Sequence, residues 1–116
     1  MRDAPQLIVR WEATLLGLMK RTNTLPKSVR FTLAQRIDTQ AIEVLERLVT
    51  ARYASGEACG HELAGADGAL TRLRILLRLA HRLGHLSHGA YEQVMRECDE
   101  SGRMLGGWRL AVAASP

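Results

Sequence analysis

The sequence predicts an all-α fold, a single up-down-up-down four-helix bundle spanning residues 1–116. Three observations carry that expectation. Apolar residues make up 47% of the chain and aromatic residues only 4%, a balance that suits packed helices better than a sandwich or barrel. Apolar positions recur at the helical period in four stretches. The breaks between those stretches are short, as antiparallel neighbours in a bundle require. A chain of 116 residues is also long enough to bury a core without disulfide or metal staples.

The first helix is expected over 4–22. Pro5 suits its first turn, and Lys20 and Arg21 complement the negative end of its dipole. Leu7, Ile8, Trp11, Leu15, Leu18 and Met19 share an arc of about 120°, enough for one buried face. The TNTLP segment ends it. The second helix is expected over 28–54, with Ser28 or Thr32 as its cap. Leu33, Ala34, Ile37, Ala41, Ile42, Val44, Leu45, Leu48 and Val49 cover about 200° of it, more than one neighbour demands. Asp38 and Arg52 fall inside that arc. Each needs a partner there, which assigns both to packing or subunit contact.

Residues 55–69, SGEACGHELAGADGA, hold four glycines and neither Lys nor Arg. They read as a loop with a turn or two of poor helix, or as the ragged start of the next helix. The third helix is expected over 66–84, stopped by Gly84. Its segment Leu70–Leu86 has a broad apolar arc containing Leu73, Ile75, Leu76, Leu77, Leu79, Ala80 and Leu83. Arg74, Arg78, Arg82, His81 and His85 gather on the other side. The fourth helix is expected over 88–107, capped by Ser87, with Ala90, Tyr91, Val94, Cys98, Leu105 and Trp108 as its stripe and a frayed tail beyond. The wide arcs of the second and third helices fit either an inner pair of the bundle or a face that meets another subunit. The subunit face is the preferred reading.

The formal net charge is +4, which favours anionic partners. Between Gly68 and Tyr91 there are four arginines, three histidines and no carboxylate. An ordinary solvated helix would include acids for i,i+4 pairs. Arg74, Arg78 and Arg82 stand one turn apart, about 6 Å along the axis, close to the phosphate repeat of a nucleic-acid strand. Arginine grips phosphate bidentately, so the stripe reads as a nucleic-acid surface, with His81 and His85 beside it. The competing reading pairs these arginines with acids on the first or fourth helix. Arg72 projects from the apolar arc and is an interhelix or intersubunit anchor.

His81 and His85 have metal-ligand spacing, but arginines surround them and repel a cation. No nucleophile–base–carboxylate set, phosphate loop or acid pair is present. The expectation is therefore a protein that is not an enzyme and uses no cofactor or metal. Cys59 and Cys98 read as reduced thiols of a cytoplasmic protein, a single disulfide being the other option. The N-terminus lacks a signal-peptide pattern, and no apolar run reaches the roughly 18 residues of a membrane span.

LPKSVRFTLAQRI (25–37), VLERLVTARY (44–53), LRILLRLAHRLGHLS (73–87) and GRMLGGW (102–108) together resemble the accessory variability determinant proteins of diversity-generating retroelements. These form a four-helix-bundle family related to proteins encoded by intervening sequences in bacterial 23S ribosomal RNA genes. The resemblance implies a ring-like, homopentameric assembly with a basic surface that associates with a reverse transcriptase. It also implies binding of RNA or DNA and support, without catalysis, of mutagenic copying into a target gene. The matching basic positions are Lys27, Arg30, Arg36, Arg74 and Arg78. Other expectations consistent with the residues are a scaffold whose arginines meet an acidic protein, or an intervening-sequence protein without a retroelement role.

Overall fold

A computed structural model describes residues 3–115. It contains four α-helices: α1 (Ala4–Thr22), α2 (Gln35–Arg52), α3 (Gly56–Arg82) and α4 (His88–Ala114). A 3₁₀ turn at Lys27–Val29 and a π-helical turn at Arg30–Ala34 lead into α2. Each helix runs antiparallel to its sequence neighbour. Arg47–Glu62 and Arg72–Glu43 pair α2 with α3, Arg74–Asp99 and Arg109–Asp67 pair α3 with α4, and Arg21 donates to Gln93 to join α1 to α4. The fold is the four-helix bundle that the periodicity predicts.

One seam runs through all four helices. Buried positions alternate spacings of three and four: Ala34, Ile37, Ala41, Val44, Leu48 and Ala51 through α2, Cys59, Leu63, Ala66, Leu70, Leu73, Leu77 and Ala80 in α3, and Val94, Cys98, Ser101, Leu105 and Trp108 in α4. That alternation lets side chains interlock between helices inclined at a shallow angle. Alanines on the facing sides of α2 and α3 let these two make the broadest contact in the molecule. Trp11 is fully buried between α1 and α2, and its indole N–H donates to the Ala41 carbonyl at 2.9 Å. The one polar atom of the largest core side chain is thereby satisfied. Cys59 and Cys98 are buried free thiols.

Of the two readings of residues 55–69, the start of the third helix holds and the loop does not. All but Ser55 are helical, and α3 begins at Gly56 instead of near residue 66. Glycine inside a helix costs about 0.5–1 kcal/mol relative to alanine. Here the absence of a Cβ serves packing. The Arg47 guanidinium crosses from α2 and lies on Gly65, where an added Cβ would come within 2.8 Å of its Cζ. From there Arg47 reaches Glu62 at 3.3 Å. Two further boundaries shift: α2 is entered through the 3₁₀ and π turns without a side-chain cap from Ser28 or Thr32, and α4 continues past Gly106 and Gly107 to Ala114.

Both turn residues of the α3–α4 hairpin act as their chemistry predicts. Gly84 takes φ +80°, its N–H bonds to the His81 carbonyl, and the His85 N–H bonds back to Ala80. This double closure satisfies the last carbonyls of α3. Ser87 Oγ accepts the Ala90 N–H at 3.1 Å and caps α4.

The wide apolar arcs have different explanations in the two helices. α2 packs against both α1 and α3, and Ile42 and Leu45 are half-buried against the common core. Its arc is covered inside one chain except at Val49, which is exposed. On α3, Ile75, Leu79 and Leu83 remain 56%, 46% and 62% exposed. They form an outward ridge on the same side as Arg78 and Arg82. Among the described residues, no helix is long and apolar enough to cross a membrane.

Replacing Trp11 by Phe removes the hydrogen bond to Ala41 and part of the ring volume from a fully buried position. Stability should fall by about 1–3 kcal/mol, read as a lower urea midpoint with an unchanged slope.

Candidate nucleic-acid interface

Antiparallel order brings four chain segments to one end of the bundle. These are the last turn of α1, the turns leading into α2, the last turns of α3 and the first turns of α4. Lys20, Arg21, Lys27, Arg30, Arg36, Arg78, Arg82 and Arg96 lie on these segments. The carboxylates there are Asp38, Glu92 and Glu97, and two have partners: Asp38 accepts the Thr22 hydroxyl at 2.7 Å, and Glu92 meets His88 Nε2 at 3.0 Å. Among the described residues, none of those eight Lys and Arg side chains makes an ion pair.

The other half of the molecule is built differently. It holds most of the acids, and five arginines there and along the middle of the bundle are ion-paired: Arg47 with Glu62, Arg72 with Glu43, Arg74 with Asp99, Arg103 with Glu100 and Arg109 with Asp67. Among the described residues, Arg10 and Arg52 are the exposed arginines of that part without an ion pair. Unpaired positive charge is therefore concentrated at one end. Side chains alone create this asymmetry, because each end of the bundle collects two helix N-termini and two C-termini whose dipoles oppose one another.

The arginines of α3 do not act as one stripe. Arg74 turns toward α4, where its Nη2 donates to the Cys98 carbonyl at 3.0 Å and pairs with Asp99 at 3.2 Å. It rests on Gly102, where a Cβ would approach its Nη2 to 2.8 Å, and its Nε is buried without a partner among the described residues. Arg78 and Arg82 are exposed. Arg72 donates from Nε to Gln40 at 2.9 Å and pairs with Glu43, linking α3 to α2. Arg52 is exposed, with its guanidinium 5.7 Å from the centre of the Tyr53 ring. Lys27, Arg30 and Arg36 are exposed around the start of α2.

His81 stacks on Tyr91 with ring centres 4.3 Å apart and planes 4° from parallel, while His88 lies tilted at 5.5 Å. His85 is half-buried in the hairpin. Among the described residues, no three His, Cys, Asp or Glu side chains converge where they could hold a metal ion.

Lys20, Arg21, Arg96 and Phe31 are the members of this end that sequence reasoning passes over. The lysine and first arginine read only as complements to a helix dipole, and Phe31 falls at the edge of the apolar arc of the second helix, outside the positions assigned to its buried face. The signal for the charges was the topology itself, which places the end of α1 beside the end of α3.

The sequence pattern of the bAvd-like family matches residues 13–112. The chain belongs to the bAvd-like family. The match takes in the second half of α1, all of α2 and α3, and nearly all of α4. Members of the family are accessory variability determinant proteins. No curated protein sequence matches the chain.

The Cys98 thiol in this bAvd-like chain is pushed up from an ordinary 9.0 to about 12. Burial is the main cause, the Arg74 guanidinium opposes it, and Asp99 and Glu97 add to it. The thiol stays protonated and is no nucleophile at neutral pH. Between 9.0 and about 12 the folded chain retains a proton that the unfolded chain releases, so stability is full below that window and falls as pH rises through it. Iodoacetamide should leave Cys98 unmodified in the native protein and alkylate it in denaturant, as read by mass spectrometry.

Proposed function

We propose that this chain is a non-catalytic accessory protein of a diversity-generating retroelement. It binds RNA or DNA through the cationic end of the bundle and associates with the element's reverse transcriptase during mutagenic retrohoming. The observation that carries this reading is the contrast between the two ends. Among the described residues, five arginines of the middle and acid-rich half are ion-paired, Arg10 and Arg52 being the exceptions, whereas the eight Lys and Arg side chains at the opposite end make no ion pair and all but the half-buried Arg21 are exposed. Family membership supplies the retroelement context.

Arg78 and Arg82 are the central phosphate contacts, with Lys27, Arg30 and Arg36 extending the surface around the start of α2. His81 and His85 lie at the same end of the bundle. Arg74, Arg72 and Asp38 hold helices together, and Arg52 lies toward the far end. The exposed ridge of Ile75, Leu79 and Leu83 supports self-association, and the family resemblance points to a ring of five.

Affinity for RNA and DNA should fall linearly in log K against log salt. The double substitution Arg78→Ala, Arg82→Ala should make that slope shallower by roughly 1.5, since each phosphate contact contributes about 0.7–0.9. Arg74→Ala should leave the slope unchanged and lower the unfolding midpoint. A slope indifferent to Arg78 and Arg82 would overturn their assignment. Co-expression with the reverse transcriptase of the same element should yield a complex that survives gel filtration at moderate salt. Separate elution of the two proteins would count against the association.

A further inference from the structure

At the cationic end, a groove of about 790 Å3 opens between the last turns of α1 and the π-helical turn before α2. Its lining includes Leu16, Met19, Leu25 and Phe31, with Lys20 and Arg30 also on its walls. Phe31 is the only phenylalanine in the chain. It is 80% exposed, and Leu16 and Met19 beside it are 57% and 39% exposed. The single carboxylate in the groove, Asp38, is bonded to the Thr22 hydroxyl. Lys20 and Arg30 have no ion-pair partner among the described residues. An irregular π turn holds Phe31 here, and such turns gather at functional sites.

An exposed aromatic face on an apolar floor with cations at the rim suits an anionic chain carrying flat rings. Bases stack on aromatic side chains whatever their identity, while phosphates follow the positive rim. Paired bases are buried in a duplex and present no such face. The exposed ridge of a second copy, Ile75, Leu79 and Leu83, is a poorer occupant, because it brings Arg78 and Arg82 against Lys20 and Arg30.

We propose that this groove binds unpaired nucleotides, with Phe31 as the stacking platform and Lys20 and Arg30 as phosphate contacts. It gives the cationic end a preference for single-stranded over double-stranded nucleic acid. The proposal rests on the nucleic-acid reading above and adds strand-state specificity to it.

The test compares a single-stranded oligothymidine of roughly 15 nucleotides with a duplex of the same length, using fluorescence anisotropy on the full chain. Phe31→Ala should weaken single-strand binding about tenfold, leave duplex affinity and both salt slopes unchanged, and leave the fold intact at so exposed a position. Phe31→Leu should lose the preference as well, since it keeps apolar area but not the ring. Phe31→Trp should retain it, and its emission should be quenched by the oligonucleotide while Trp11 and Trp108 stay buried. The proposal is overturned if Phe31→Ala changes neither affinity, weakens both equally, or leaves leucine as good as phenylalanine. It is also overturned if light scattering shows that Phe31→Ala abolishes self-association, which would make the groove a seat for a second copy. If the unaltered chain binds neither oligonucleotide, the nucleic-acid reading itself fails; single-strand binding that ignores Phe31 defeats only the stacking assignment.

Discussion

Everything in this molecule depends on the alternation of three- and four-residue spacings that lets four helices share one seam. With connections as short as these, the chain must also reverse direction at each of them. Segments distant in sequence are then forced to one of only two ends. The cationic end is a product of that constraint. Lys20 and Arg82 are separated by about half of the chain, yet α1 and α3 both finish at the same pole. The acid-rich stretch around Glu57 and Glu62 is carried to the other pole by the same reversal.

The second organising device is the placement of arginine on glycine. Arg47 lays its guanidinium across Gly65, Arg74 brings its Nη2 over Gly102, and each reaches an acid or carbonyl from there. Arginine is suited to this because its charge is spread over a flat group that tolerates partial burial. The glycines weaken their own helices a little and secure the contact between helices in exchange.

Much of the fold was legible in the sequence, and the failures have specific causes. Gly84 and Ser87 announced the α3–α4 hairpin because local backbone chemistry alone decides them. Residues 55–69 were obscured because Gly65 and Gly68 look like helix breakers when no partner for them is visible. The seam through Cys59, Leu63 and Ala66 was present all along but made of residues too small or too sparse to stand out. Part of the cationic surface was legible too, since the carboxylate-free window marked Arg78 and Arg82. Arg74 was grouped with them because spacing along a helix does not reveal which neighbour a side chain turns toward. Phe31 was invisible as a surface feature. A lone aromatic at the edge of an apolar arc gives no sign of full exposure until the irregular turn that expels it is seen.

The segregation of unpaired charge gives an elongated body, 49 Å along its longest axis, a permanent electric dipole supplied by its side chains. Such a molecule approaching a polyanion feels a torque as well as an attraction and turns before it touches. Encounters are thus biased toward one orientation at long range. Any closed assembly whose subunits point the same way would have two unlike rims, one that gathers phosphate and one that repels it.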